Sequence, residues 1–198
     1  MKKIILSLVL IGSAIMATES KAQYNVIKIN PISIGLRTAS IAYEHTINWN
    51  TSIQMGISYT PESELVSDYF NGDTLLLSGN SATFEFRKYT KRNTPKGFYW
   101  GPYLRRQSIT LKDKKISNTL SVSSIGVMLG GQFLISGSVS LDMYLGLGLG
   151  SYSISSGTVY SDITDTIGDG SITTGAIRAG FTVGIAIPNR LPRIGSYF

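Results

Sequence analysis

The sequence predicts an all-β fold, an eight-stranded antiparallel up-and-down β-barrel, on three observations. Apolar residues recur at every second position through most of the chain, the period of a strand and not of a helix. Glycine and tyrosine are frequent, at 21 and 11 of 198 residues, while charged residues make up only 15%, against about 25% in an average soluble domain. Short and long links between the alternating segments also alternate, as they do when one rim of a barrel carries brief turns and the other carries projecting loops. The length suits a single domain. Cysteine is absent and histidine occurs once, at His45, so disulfides, thiolate or histidine-rich metal sites and cysteine nucleophiles are excluded.

Residues 1–22 have the order of a cleaved secretory signal peptide. Met1-Lys2-Lys3 is a basic start, and Ile4 to Ile15 is an apolar run too short to span a bilayer as a stable helix. Ser20-Lys21-Ala22 then puts small residues at −3 and −1 of a cut before Gln23. The alternative is a short N-terminal membrane anchor. No cysteine follows the apolar run, which excludes a lipoprotein. The predicted division is a signal peptide at 1–22, a barrel at 23–187 and a short periplasmic tail at 188–198. The net charge of +6 is spread along the chain. No basic stripe interleaved with aromatics is present, so nucleic acid is not an expected partner.

Val139 to Tyr152 is the clearest strand. Val139, Leu141, Met143, Leu145, Leu147 and Leu149 share one face; Ser140, Asp142, Tyr144, Gly146, Gly148 and Gly150 share the other. Seven further segments alternate in the same way: Asn25–Ile34, Ala39–Ile47, Ser52–Thr60, Ala82–Lys91, Phe98–Leu111, Leu120–Ile135 and Thr173–Ile187. Pro31 interrupts the first and predicts a bulge or an early strand end. Asn48–Thr51, Asn93–Lys96 and Ser136–Ser138 read as tight turns. Gly35–Thr38, Pro61–Ser81, Lys112–Thr119 and Ser153–Ile172 form the second set of links, mostly longer and more charged. After Gln23 no apolar run approaches the roughly 20 residues of a membrane helix.

The direction of the apolar face separates two barrels. A lipocalin-like soluble barrel turns it inward, and an outer-membrane barrel turns it outward to lipid. The polar face carries Lys28, Glu44, Glu85, Arg87, Arg105, Asp142 and Arg178, interleaved with Gly126, Gly130, Gly146, Gly148, Gly180 and Gly184. A strand glycine costs roughly 0.5–1 kcal/mol of backbone entropy. So many of them are useful only where long side chains are crowded, as in a narrow lumen. On the apolar face, Tyr43, Tyr59, Phe98, Trp100 and Phe133 lie near strand ends, where membrane interfaces select an aromatic girdle. Both signals favour a transmembrane β-barrel surrounded by outer-membrane lipid.

The pattern resembles the small eight-stranded bacterial outer-membrane barrels of the OmpA transmembrane domain and OmpX kind. Asn25-Val26-Ile27-Lys28-Ile29-Asn30-Pro31, Ile41-Ala42-Tyr43-Glu44, Glu85-Phe86-Arg87 and Gly101-Pro102-Tyr103 resemble an uncharacterised family of such barrels. The resemblance covers Tyr24–Ile187. A second likeness lies in the last strand. Arg178-Ala179-Gly180-Phe181-Thr182-Val183-Gly184-Ile185 is similar to the final-strand pattern read by barrel-assembly machinery, with Arg178, Gly180, Val183 and Ile185 at its key positions. Such strands usually end the chain on an aromatic; here the chain runs on to Phe198. The resemblance implies residence in a Gram-negative cell envelope and the assembly machinery as a transient partner.

Eight strands enclose a space that side chains just fill. Three acids and four bases on the inward face predict a plugged lumen with a salt-bridge network, and not an open pore. Glu85 and Arg87 share a face two residues apart, and Lys28 and Glu44 lie at similar heights on neighbouring strands. An enzyme acting on lipid A acyl chains would need a Ser–His–acid set. His45 shares the parity of the lipid-facing Tyr43 near the short-turn rim, which disfavours it. Glu62 and Glu64 share one loop, and Asp162, Asp165 and Asp169 another, without the spacing of a calcium loop. No catalytic residue, cofactor or metal is therefore expected. The leading expectation is a structural or interaction role: envelope integrity, adhesion, or a subunit of a membrane assembly. The extracellular loops or the tail would contact a protein partner. The second is a binding or uptake barrel for a small ligand or lipid, in which the inward glycines leave a cavity instead of seating Tyr99, Tyr103 and Tyr144. A lipid-A-modifying acyl hydrolase or transferase is third.

Overall fold

A computed structural model describes residues 24–66, 74–92, 94–112, 117–156 and 172–188. In it, eight strands close into one antiparallel barrel in sequence order, up and down, with the last strand hydrogen-bonded to the first. The strands are β1 (Tyr24–Ile29), β2 (Ala39–Asn48), β3 (Thr51–Val66), β4 (Thr74–Tyr89), β5 (Gly97–Lys112), β6 (Ser117–Ile135), β7 (Val139–Ser156) and β8 (Ile172–Pro188). The proposed signal peptide and residues 189–198 of the tail lie outside the described residues. Pro188 ends β8 opposite Tyr24 and so belongs to the barrel, one residue beyond the predicted boundary.

Two expectations about the elements are corrected. β1 does not run on to Ile34. It stops at Ile29, and a short helix α1 (Pro31–Gly35) follows. Proline lacks the N–H a ladder needs but suits the first turn of a helix. Asn30 caps that turn, its Oδ1 accepting from the backbone N–H of Ile32 at 3.0 Å and of Ser33 at 3.2 Å. The second correction concerns Pro61–Ser81, which is largely strand. β3 and β4 stay paired as far as Val66↔Thr74, past one register shift between Thr60 and Ser63.

One rim carries the short links 49–50, 90–96 and 136–138. In the last of these, Ser136 and Gly137 both have positive φ, 51° and 74°, and Ser138 N–H donates to Ile135 O at 3.2 Å. Two left-handed residues in succession give a turn the twist that antiparallel strands require. The short links are tied together, since Thr94 N–H donates to Trp49 O at 3.1 Å and Tyr89 N–H to Asn50 O at 2.7 Å. The other rim carries α1 and the connections from β3 to β4, β5 to β6 and β7 to β8; the last is the longest, and that from β5 to β6 is shorter than the link 90–96, so the expected alternation of short and long links holds only in part.

The faces are inverted relative to a water-soluble core. Lys28, Glu44, Arg87 and Asp142 are at most 1% exposed, whereas Ile177 is 79%, Phe98 68% and Leu129 66% exposed. The apolar exterior is a belt with an upper edge. Along β5 the outward series Phe98, Trp100, Leu104 changes to Arg106, Ser108, Thr110. On β6, Leu129, Val127 and Ile125 give way to Ser123, Ser121 and Thr119. Above the edge the hydroxyls of Ser108 and Ser121 lie 3.3 Å apart, and those of Thr110 and Thr119 3.1 Å. On β7 the belt runs from Val139 to Leu149. At about 3.4 Å per residue and a tilt of about 40°, that stretch is about 25 Å tall.

Inside, Tyr89, Tyr99, Tyr103 and Met128 form the buried apolar cluster, joined by Tyr144. Glycines make room for the rings. A Cβ on Gly130 would collide with the end of the Tyr99 ring, and one on Gly180 with the end of the Tyr144 ring. Cβ atoms on Gly126 and Gly148 would each come within 2.8 Å of Tyr103. Gly126, Gly130, Gly148 and Gly180 thus seat tyrosines, and Gly184 meets Ile27 O and the Lys28 side chain, which corrects the expectation that the inward glycines of β6 to β8 leave a cavity.

Candidate functional site in the barrel lumen

The register brings the charged residues of five strands into the half of the lumen nearest the short turns. Val26 pairs with Glu44 across β1 and β2, and Gln132 with Asp142 across β6 and β7. Lys28 Nζ lies 2.6 Å from Glu44 Oε2 and 2.8 Å from Asp142 Oδ2, and donates to Gln132 Oε1 at 2.9 Å. Arg87 is the hub. Its Nη1 reaches Asp142 Oδ2 at 2.7 Å, its Nε donates to Glu85 Oε2 at 2.8 Å, and its Nη2 bonds the same Glu85 oxygen. The guanidinium also lies 4.4 Å from the centroid of the Tyr99 ring. Arg178 Nη2 lies 2.6 Å from Glu85 Oε1, and its guanidinium stacks 4.5 Å from the Tyr144 ring centroid.

Neutral donors complete the set; the sequence places Tyr99 and Gln54 on the inward face without assigning them to the network, and does not single out Tyr89 or Ser52. Tyr89 OH donates to Glu44 Oε1 at 2.7 Å, and Tyr99 OH to Asp142 Oδ1 at 2.7 Å. Gln54 Nε2 donates to Glu85 Oε2 at 3.1 Å, and Ser52 Oγ donates to Glu44. Their signal was parity alone: each lies on the inward face beside a charged residue. The cluster holds Glu44, Glu85 and Asp142 against Lys28, Arg87 and Arg178, and is formally neutral. Such a closed cluster fills this half of the lumen and ties together strands that are distant in sequence. A buried ion pair of this kind stabilises little against an apolar core, yet losing one member is costly.

The remaining named residues are placed as follows. Arg105 is inward but apart: among the described residues no ion pair or hydrogen bond reaches it, and its buried Nε has no partner. The ion-pair network among the described residues therefore omits Arg105, which the sequence places in it. Tyr43, Tyr59, Phe98, Trp100 and Phe133 all face outward and are exposed; Phe98 and Phe133 meet edge to face with ring centroids 6.4 Å apart. Of the final-strand positions, Arg178 and Gly180 point inward, and Val183 and Ile185 outward. His45 is on the outer side of the wall, its Nδ1 2.8 Å from Asn25 Oδ1, which also accepts from Tyr43 OH at 2.9 Å. Glu62 pairs with Lys112 at 3.2 Å on the surface. Asp162, Asp165 and Asp169 lie outside the described residues. Among the described residues no group of three or more histidine, aspartate or glutamate side chains is arranged to hold a metal ion, and no helix is long and apolar enough to cross a membrane.

The fold and its lumen define a closed eight-stranded up-and-down barrel with an ion-paired interior and an apolar outer belt. No protein-family model matches the chain, and no curated protein matches it.

Proposed function

We propose that the chain is an integral outer-membrane β-barrel without catalytic activity, exported by a signal peptide removed before Gln23. Its role is structural or interactive: envelope integrity, adhesion, or a subunit of a membrane assembly. The loops of the long-link rim, taken as extracellular, carry that role. The observation that carries this reading is the inverted wall, with Arg87, Glu44 and Asp142 at 0% exposure inside an exterior of exposed isoleucine, leucine and phenylalanine. Soluble monomers seldom expose an apolar patch beyond a few hundred Å². In hydrocarbon the same surface is favourable, and a closed barrel leaves no strand edge unsatisfied there. The belt height of about 25 Å suits an outer-membrane barrel. The outward position of His45, bonded to Asn25, supports the non-enzymatic reading.

The test is to fractionate expressing Gram-negative cells and sequence the N-terminus of the product. The proposal expects a protein in the outer-membrane fraction that starts at Gln23 and shifts on a gel after heating. A soluble product, or one retaining Met1, refutes it. Crosslinking from intact envelopes, read by mass spectrometry, then separates a subunit from a stand-alone barrel.

A further inference from the structure

Among the described residues the strands turn three cations outward, Lys88, Arg106 and Lys112, and two of them have partners. Lys88 Nζ donates to Asn50 Oδ1 at 3.2 Å, and Lys112 Nζ lies 3.2 Å from Glu62 Oε2. Arg106 on β5 is exposed, and among the described residues no ion pair or hydrogen bond reaches it. The wall offers it no carboxylate. The acidic residues of β4 to β8 are Glu85 and Asp142, and both are buried in the lumen.

The register gives Arg106 a definite setting. Two outward rows cross the wall from β3 to β6. In one, Met55, Phe84, Leu104 and Ile125 are cross-strand neighbours, all large, apolar and exposed. In the next row towards the long links, Ile57, Ala82, Arg106 and Ser123 are neighbours in the same way. Ala82 is the one small apolar residue among these eight, so the wall is notched beside Arg106. The two rows line a groove of about 690 Å³, within the range of small-molecule sites. It spans three strand spacings, about 14 Å. Ala82 and Arg106 face each other directly across β4 and β5, which sets their Cβ atoms about 5 Å apart. Beyond this row the outward residues of β5 and β6 are hydroxyls, Ser108, Thr110, Thr119 and Ser121. The groove therefore lies at the upper edge of the belt, and Arg106 is part of its lining.

On the membrane placement proposed above, we propose that this groove binds one anionic, phosphate-bearing lipid of the leaflet on the long-link side. Its phosphate lies on Arg106 with the Ser123 hydroxyl beside it, and an acyl chain fills the Ala82 notch between Ile57, Phe84 and Leu104. The guanidinium is a planar fork of N–H donors that matches pairs of phosphate oxygens. A uniformly apolar wall holds lipids without regard to their headgroups. Here a cation without a protein counter-ion stands beside a seat for the chain, so charge and shape select the lipid at one place.

The experiment refolds the mature barrel into vesicles of equal parts phosphatidylglycerol and phosphatidylcholine. The protein is then extracted in mild detergent, and the lipid it retains is weighed by native mass spectrometry. Wild type is expected to retain phosphatidylglycerol in preference to phosphatidylcholine. Arg106→Gln, at an exposed position, is expected to lower that preference about fivefold, the worth of one basic residue at an anionic surface. Lys88→Gln removes the same charge from the opposite edge of the belt and is expected to keep the preference. Ala82→Leu fills the notch, leaves Arg106 in place and is expected to lower the phosphatidylglycerol retained. Equal retention of the two lipids by wild type, an unchanged preference in Arg106→Gln, an equal loss in Lys88→Gln, or unchanged retention in Ala82→Leu overturns the proposal. Flotation with the vesicles separates the two levels of inference. A barrel that floats without lipid preference overturns this site alone, whereas one that does not float overturns the membrane placement and the site with it.

Discussion

Replacing Arg87 with methionine removes the hub of the lumen cluster while keeping a long unbranched side chain in place. Three carboxylates then face Lys28 and Arg178. Each retains some support: Asp142 keeps Lys28 at 2.8 Å and Tyr99 OH at 2.7 Å, Glu85 keeps Arg178 at 2.6 Å, and Glu44 keeps Lys28 at 2.6 Å. What is lost is charge balance, one buried negative charge with no counter-ion, and breaking a buried pair in this way costs about 3–5 kcal/mol. Urea unfolding in lipid vesicles, followed by the fluorescence of Trp49 and Trp100, reads that loss. The double variant Arg87→Met, Asp142→Asn restores two charges against two. It keeps an oxygen for Lys28 and Tyr99, and is expected to be more stable than Arg87→Met alone by at least about 1 kcal/mol, the coupling typical of groups within one network. A single variant within about 1 kcal/mol of wild type would refute the reasoning, because an exposed ion pair costs no more than that. So would a double variant that simply adds the two losses.

Three further outcomes follow from the same geometry. Gly130→Ala drives a Cβ into the Tyr99 ring and within 2.8 Å of Met143 O and lowers unfolding stability by about 1–3 kcal/mol, whereas Gly175→Ala, whose Cβ meets nothing within 4 Å, stays within about 0.5 kcal/mol. Leu147→Arg, in the outer belt, costs about 2–4 kcal/mol in vesicle unfolding, and Ser123→Arg, above the belt edge, about 0–1 kcal/mol; equal costs at the two positions contradict a membrane around the belt. In planar bilayers the reconstituted barrel gives no steady large conductance, and a porin-like pore would contradict a lumen closed by Arg87, Asp142 and Tyr99.

Much of the barrel was legible because one physical rule repeats. Leu141 to Leu149 alternate with Asp142 to Gly150, and only a two-faced strand separates those sets. The same parity put Lys28, Glu44, Glu85, Arg87, Asp142 and Arg178 on one face. Pairing of Lys28 with Glu44 followed once neighbouring strands were set at similar heights. Parity gives no distance, and that is where Arg105 was misread: it shares the inward face but lies beyond Tyr103, above the carboxylates. The extent of β3 and β4 was misread for a different reason. Pro61, Glu62 and Glu64 read as the start of a loop, yet the β3·β4 ladder continues past one register shift to Val66↔Thr74. On β5, read as Phe98–Leu111, the apolar residues beyond Leu104 move to the other parity, at Ile109 and Leu111, while the outward positions become Arg106, Ser108 and Thr110.

That switch of faces bears on how the sequence distributes its glycines and tyrosines. Below the belt edge the wall has apolar residues outside, so the lumen must be filled by polar or ring-bearing side chains without stranding a charge. Large rings on β5 and β7 opposite glycines on β6, β7 and β8 provide that filling: Tyr99 over Gly130, Tyr103 over Gly126 and Gly148, Tyr144 over Gly180. Above the edge the outward face is polar, the inward face carries Leu77, Ile109 and Val122, and ring-on-glycine packing stops among these pairs. One continuous barrel therefore has two interiors. The lower is filled with buried, ion-paired side chains. The upper is partly apolar, and the inward Arg105 lies at the junction between them.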